Sequence, residues 1–526
     1  MSATTMGAVP ASATPAVSRK QFFGFMVMVL GMFMAILDIQ IVSASIADIQ
    51  AGLAASPDEA SWIQTSYLIA EIVMIPLSGF LSRLLSTRVL FTLSAVGFTI
   101  FSLACAMATS LPLMIAFRAA QGFLGGAMIP TVFATAFSLF PAKQRVRISV
   151  LIGLTATMAP TIGPTLGGLL TETFSWHWLF LINVPFGILV ASVVWATMDI
   201  DKADRSLLAR FDWWGLAFMA IFLGSLEYVM EEGPRWEWLQ DETIAIFALT
   251  GVVAAVLFFW RAFTRNEPIV DLFAYGDRNF AVGSVLAFLL GIGLYGSVYL
   301  IPIFLGRVRG FNSLQIGETM FVTGLAMFIS APIVGQMAQR MDIRVVLGIG
   351  LAIMSYALWL TSDLTVLSGF PQMWLALALR GVGTMMVMVP VNQIALGTLA
   401  PARLKNASGL YNLMRNLGGA VGLAMINTLV TDRGAAHRLH MAEQVSSGRI
   451  AATQWLDNLT TALTPRLGEA QAEMAALRRL SQMVEQQSLV LAYNDVLLVM
   501  SLLFAAALPL VLLLSKPKPG GGGGGH

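Results

Sequence analysis

The sequence reads as an all-α membrane protein that crosses the bilayer fourteen times, and three features support this. Of the 526 residues, 57% are hydrophobic and 11% charged, with a mean hydropathy of +0.77. A soluble globular protein carries about 25% charged residues, and less than half that fraction cannot cover a water-facing surface of this size. Apolar runs of the roughly 20 residues needed to cross a hydrocarbon core recur fourteen times along the chain. Lys and Arg are distributed as the positive-inside rule requires. With the N-terminus placed inside, nineteen fall in inner segments, and the short outer loops hold three, Arg235, Arg307 and Arg309. Both termini are therefore expected in the cytoplasm.

The same composition excludes other classes. A net charge of +2 provides no basic footprint for nucleic acid. The single cysteine, Cys105, excludes a disulfide framework and a Cys-rich metal site. No lysine follows a glycine, so there is no Gly-Lys-Ser/Thr phosphate loop. His437 and His440 lack a third ligand partner in sequence, no nucleophile–base–acid set occurs in a loop, and neither a metal, a cofactor nor an enzymatic activity is expected.

The elements follow in order. Residues 1–20 are an N-terminal tail, small and polar over 1–18, without a signal peptide and with a disordered composition. A six-helix bundle over 21–200 holds spans near 22–46, 61–81, 89–108, 112–139, 148–170 and 178–198. An inserted pair over 201–266 holds spans 7 and 8, near 212–231 and 243–263. A second six-helix bundle over 267–514 holds spans near 280–305, 316–338, 345–362, 371–399, 407–430 and 489–514. Residues 515–526 are a Gly-rich tail of flexible linker composition, with no function assigned.

Two internal echoes motivate the division into halves. PLSGFLSRLLSTR at 76–88 and PIVGQMAQRMDIR at 332–344 share Pro, Gly and Arg at the same offsets. Arg118 opens RAAQGFLGGAMIP in span 4, and Arg380 opens RGVGTMMVMVP in span 12. Parallel six-helix repeats of this kind point to a secondary transporter.

Between spans 13 and 14 lies a hydrophilic segment, 431–487, on the outer side. Met474, Leu477, Leu480 and Val484 recur at helical spacing, which predicts that span 14 continues outward as an amphipathic helix with Pro465 near its start. Asp432 through Gln444 are expected to extend span 13 likewise, with a break at Gly448. The apolar stripe would close the two extensions on each other or on a partner.

Buried charge identifies the candidate site. An ionised group within a span costs about 2.5–3.5 kcal/mol on insertion scales, so each needs a partner or a wet cavity. Asp38, Glu71 and Arg118 lie at comparable depths in the outer half, at about 1.5 Å of rise per residue, and a carboxylate placed between desolvation and a nearby arginine can load and release a proton. Arg380 and Arg415, with Asn412 and Asn416, are candidates for the C-terminal side of a cavity. Glu227 is expected to snorkel to water from the outer end of span 7. In span 5, Gly163, Gly167 and Gly168 permit close helix approach and Pro164 removes one helical hydrogen bond, which suits a pivot.

These residues also carry a resemblance. Gly163-Pro164-x-x-Gly167-Gly168 and the following Trp176-x-Trp178-x-Phe180-x-x-Asn183-x-Pro185-x-Gly187 are similar to the antiporter motif of span 5 in the major facilitator superfamily. Within it, the chain resembles the fourteen-helix drug:proton antiporters of the EmrB type. Arg118-x-x-Gln121-Gly122-x-x-Gly125-Gly126, Leu37-Asp38-x-x-Ile41-Val42 and Pro268-Ile269-Val270-Asp271-Leu272 match the same group. The motif after span 2 keeps Gly79 and Arg88 of its cytoplasmic gate, but Arg83 stands where the family has Asp and Ser86 where it has Gly.

The resemblance implies the major facilitator fold and a proton-coupled antiporter that exports drugs or toxic amphiphiles across a bacterial inner membrane by alternating access. It implies as partners a periplasmic membrane-fusion adaptor and an outer-membrane channel, with the outer segment as docking surface. Export of one metabolite or siderophore on the same fold is the nearest alternative. A non-transporting receptor or scaffold is the alternative of another class.

Overall fold

The computed structural model describes residues 17–265, 268–400, 403–445 and 449–515. The expected disorder of the N-terminal tail, the Gly-rich tail from Lys516 onward and the break at Gly448 lie outside the described residues. Among the described residues, fourteen helices are long and apolar enough to cross a membrane. They run Arg19–Ser43, Trp62–Leu85, Thr87–Ala106, Leu111–Leu139, Gln144–Thr173, Trp178–Thr197, Trp213–Glu232, Glu242–Thr264, Arg278–Arg307, Gln315–Arg340, Ile343–Thr361, Phe370–Gly397, Leu404–Gln444 and Glu469–Leu513, numbered here as spans 1 to 14. Each overlaps its counterpart from the sequence.

Short polar residues start many of them. Ser18 forms a capping box with Gln21, Asp212 caps span 7, Asp241 span 8, Asp277 span 9 and Asn312 span 10. A side-chain oxygen at that position satisfies a backbone N–H that the first turn leaves without a partner.

The helix pairings repeat at an interval of eight. Span 1 packs on 5 and 6, span 2 on 4, and span 3 on 4 and 6; span 9 packs on 13 and 14, span 10 on 12, and span 11 on 12 and 14. Across the middle, span 5 packs on 10 and span 2 on 13, which are again the same pair shifted by eight. Spans 7 and 8 pack on each other, and span 7 also lies against spans 2 and 13. Many apolar side chains face outward, among them Trp195, Val256 and Phe328, as expected where the solvent is lipid.

The segment after span 13 is helical over Ile450–Leu467 and again from Glu469, and the helix that continues into span 14 starts beyond Pro465. Pro465 lies inside a separate helix, Ile450–Leu467, and the chain turns at Gly468, whose φ is +77°. A residue without Cβ enters that conformation at little cost, whereas Pro465 near the end of a helix breaks nothing downstream. The extension of span 14 therefore begins at Glu469. Its buried face is Ala472 and Ala476, while Met474 and Leu477 are exposed and Leu480 and Val484 half-buried. The expected stripe is thus only partly closed.

Candidate transport cavity

Polar side chains at the centre of the fold form two groups. In the first, Asp38 and Arg118 are both 0% exposed. Arg118 Nη1 donates to Asp38 Oδ2 at 2.6 Å and to Gln121 Oε1 at 2.8 Å, and its Nε donates to the Ile63 carbonyl at 3.2 Å. Asp38 Oδ1 accepts from Asn183 Nδ2 at 2.7 Å and from Gln121 Nε2 at 3.1 Å. Gln121 and Asn183 both donate to Ser102 Oγ, which donates to the Phe180 carbonyl. The guanidinium lies 4.2 Å from the centre of the Tyr67 ring. Spans 1, 2, 3, 4 and 6 are tied together in this way. Asp38 and Arg118, which the sequence puts at comparable depths, are in contact, and Asn183 and Ser102 complete the group. Asn183 was visible in the sequence only as a motif letter, because its partner lies 145 residues away.

Gly122 makes this arrangement possible. A Cβ there would collide with the Tyr67 carbonyl, and one at Gly126 would come within 2.9 Å of the Glu71 carbonyl. Spans 2 and 4 can approach this closely only without those side chains.

The second group lines a cavity of about 380 Å³ between the two sets of helices, a size that suits a drug-like molecule. Gln40 and Ser43 of span 1, Gln64 and Glu71 of span 2, Glu227 and Glu231 of span 7, Tyr295 and Tyr299 of span 9, and Asn416 and Asn427 of span 13 face it, interleaved with Leu68, Pro302, Ile303 and Leu423. Glu71 is 2% exposed and Glu227 5%. One carboxylate oxygen of each, Glu71 Oε1 and Glu227 Oε2, has no hydrogen-bond partner among the described residues, and neither has Asn416 Oδ1. Buried carboxylates in this state need water, a proton or a ligand. Gly419 gives the Tyr295 ring its place, since a Cβ there would stand 2.6 Å from it.

Several sequence expectations need correction. Glu227 does not snorkel: span 7 packs against spans 2 and 13, which turns its acidic face inward, and amphipathic periodicity within one span cannot reveal that. Arg380 does not line the cavity. It is buried, with Nη1 donating to the Ser297 carbonyl of span 9 at 3.1 Å and Nη2 to Thr323 Oγ1 of span 10 at 3.0 Å. These are the spans equivalent to 1 and 2, so Arg380 repeats the bracing role of Arg118 with a carbonyl in place of a carboxylate. Arg415 is buried beside Phe133, 5.3 Å from its ring centre, with Nε and Nη1 unpartnered among the described residues. It lies behind the cavity wall, from where its charge acts on Glu71. Asn412 donates to the Ser408 carbonyl, also away from the cavity. Asn416 lines it as expected.

Span 5 is held between the halves. A Cβ at Gly163 would stand 2.5 Å from Gln40 Cβ, and one at Gly167 2.8 Å from the Ile41 carbonyl, so the motif glycines seat span 5 on span 1. Gly168 is half-buried. On its other side, glycines of span 10 meet span 5: a Cβ at Gly317 would reach Thr165 and one at Gly335 Val150. Pro164 faces the cavity.

The cavity lies toward the end of the bundle opposite the termini, and the termini end is shut. A Cβ at Gly79 would come within 2.8 Å of Asn406 Cα, and one at Gly409 within 3.0 Å of the Ile75 carbonyl. Gln393 Nε2 donates to Ser149 Oγ at 2.7 Å from span 12 to span 5. The gate ion pair missing from the motif comes from elsewhere. Lys405, at the start of span 13, pairs with Asp201 and donates to the Ser82 carbonyl at 3.0 Å. Asp201 in turn accepts from the Thr87 backbone N–H at 3.0 Å and from Thr87 Oγ1 at 2.9 Å. Arg88 stacks 5.0 Å from the Trp195 ring centre and stays within the first half. Ser86, at the family's Gly position, has a φ of +79°.

Comparison with known proteins places these observations in context. The Major Facilitator Superfamily model matches residues 28–423. The chain is 42% identical over 479 residues to the colistin resistance protein EmrB of Acinetobacter baumannii, covering 91% of this chain and 93% of that one. It is 29% identical to the multidrug export protein EmrB of Escherichia coli K12, covering 92% of this chain and 93% of that one, and 29% identical to the fatty acid resistance protein FarB of Neisseria gonorrhoeae, covering 92% and 94%. Among solved structures, the human organic anion transporter MFSD10 superposes with a TM-score of 0.56 at 14% identity, covering 93% of this chain and all of that one. That likeness concerns the fold alone.

Proposed function

The chain belongs to the major facilitator superfamily and, within it, to the EmrB-type multidrug transporters, and from this premise we propose that it is a proton-coupled antiporter that exports drugs or other toxic amphiphiles. The observation that carries the reading is the cavity: a buried carboxylate without a complete set of partners, Glu71, sits where both halves meet and where one end of the bundle is shut. Loading a proton onto Glu71 and placing a ligand against it compete for the same oxygen, and that competition is what antiport requires. Glu71 is within reach of the charges of Arg415, Arg118 and Asp38. The Asp38–Arg118 pair therefore serves as the second coupling element: a proton on Asp38 releases Arg118, and the freed cation changes the field at Glu71.

The packing is in keeping with alternating access. Spans 2 and 13 close the termini end through Gly79, Gly409 and the Lys405–Asp201 pair, while span 5 is held against spans 1 and 10 as the pivot. The membrane is the bacterial inner membrane, with both termini in the cytoplasm, in keeping with the Lys and Arg distribution. The outer ends of spans 13 and 14 and the helix between them, with Leu439, Ile450, Met474 and Leu477 exposed, are the proposed seat of a periplasmic adaptor that leads to an outer-membrane channel.

The test uses purified protein in proteoliposomes with an imposed pH gradient. Fluorescent amphiphile export should follow the gradient, and binding of the amphiphile at constant pH should release protons. Glu71→Gln should remove the release. Export that continues unchanged after the gradient is collapsed would rule out proton coupling.

A further inference from the structure

We propose that span 7, one of the inserted pair, makes the cavity selective for organic cations, with Glu227 and Glu231 holding the cationic groups of an amphiphilic ligand whose apolar body lies against spans 9 and 13. The proposal rests on the export reading and adds to it the charge class of the ligand. Three carboxylates, Glu71, Glu227 and Glu231, face one cavity, and no Lys or Arg does among the described residues that line it. They feel one another's charge: Glu231 and Glu71 both act on Glu227. Oxygens of Glu71 and Glu227 stand buried without a hydrogen-bond partner. With no basic side chain among the lining residues, a mobile cation supplies the counter-charge inside the cavity.

The remaining lining fits the same ligand. Glu227 and Glu231 are four residues apart, so they stand one helical turn apart on a single face. Glu71 approaches from span 2, and two or more cationic groups on one molecule therefore find separate acids. Tyr295 and Tyr299 line the same cavity from span 9, and aromatic faces attract cations when water is excluded. Tyr299 already donates its hydroxyl to Asn427 Oδ1 at 2.8 Å, which fixes its ring. An anionic ligand would meet three like charges, and Arg415, whose Nε and Nη1 have no partner among the described residues, is not part of the lining.

The experiment compares binding and transport for three probes on the full chain: tetraphenylphosphonium, a bis-quaternary ammonium compound with an alkyl linker, and a neutral amphiphile of similar size. Binding is measured calorimetrically in detergent, and export in proteoliposomes. Glu227→Gln/Glu231→Gln should weaken the bis-cation by tenfold or more and tetraphenylphosphonium by severalfold, and leave the neutral probe within twofold. Glu227→Asp should keep the bis-cation within about threefold, because it retains the charge. Equal losses for cationic and neutral probes, or none for any, would overturn the proposal. A wild-type protein that binds cations in this pattern but drives no export would refute the export reading and leave the cation site standing. Gradient-driven export of the neutral probe without binding of either cation would do the reverse.

Discussion

At the scale of single residues, the two acid groups at the centre of the fold differ in how completely the protein satisfies them. Asp38 has both oxygens engaged, by Arg118 on one side and by Asn183 and Gln121 on the other. Glu71 keeps an oxygen free at the cavity. Breaking a buried ion pair by removing one partner costs about 3–5 kcal/mol, because the other charge remains desolvated. Asp38→Asn should therefore lower thermal stability by about 3 kcal/mol, a large fraction of the margin of a typical fold. Adding Arg118→Gln should restore part of the loss. Glu71→Gln should change stability by less than about 1 kcal/mol, since it has no ion-pair partner to orphan. Thermal unfolding of the three variants in detergent checks the order, and an Asp38→Asn protein as stable as wild type would mean that the pair is solvated by water.

At the scale of elements, close helix contacts and helix length make separate predictions. Gly163→Leu places a side chain where Gln40 Cβ stands 2.5 Å from an ideal Cβ, and overpacking of this kind costs about 1–3 kcal/mol. The protein should still insert and be recovered, with export reduced at least tenfold; normal export would remove span 5 from the role of pivot. The outer helices make the second case. Residues 469–488 extend span 14 by about 30 Å at 1.5 Å per residue, and Gly468 sets them antiparallel to Ile450–Leu467. Replacing 440–482 with a short Gly/Ser linker should leave proteoliposome export intact, because the cavity residues lie elsewhere. In cells with an outer membrane the same replacement should abolish resistance. Full resistance in those cells would reduce the segment to a tether, and loss of export in proteoliposomes would assign it to the transport cycle.

At the scale of the whole molecule, the closed termini end depends on contacts between distant parts of the chain. Lys405 and Asp201 are about one-fifth exposed, and partly exposed pairs of this kind contribute about 1 kcal/mol or less. In a two-state transporter that is enough to shift the balance severalfold. Lys405→Ala should raise the fraction of molecules open at the termini end, read as faster labelling of a cysteine introduced at Ser149 in a cysteine-free background. Lys405→Arg should keep the wild-type rate. Equal labelling in all three would show that the glycine contacts alone hold the end closed.

The sequence by itself determined the number of spans, their order, the twofold repeat and the charges that have to be buried. Each follows from local facts: the length of an apolar run, the spacing of Lys and Arg, and the cost of an ionised group in hydrocarbon. It also brought Asp38, Glu71 and Arg118 to one depth. Only the tertiary structure decided which of those charges face the cavity. Arg380 and Arg118 stand in matching motifs, yet one meets a carbonyl and the other a carboxylate, because their partners come from spans 9 and 1. Glu227 reads as an outer-end acid and becomes a cavity wall, since the packing of span 7 on spans 2 and 13 sets which way its face turns. Asp201 takes the place of a motif carboxylate from more than a hundred residues downstream of Thr87, whose hydrogen bonds hold it. Rotation of a helix about its axis and the meeting of residues far apart in the chain are properties of packing, and no window of sequence contains them.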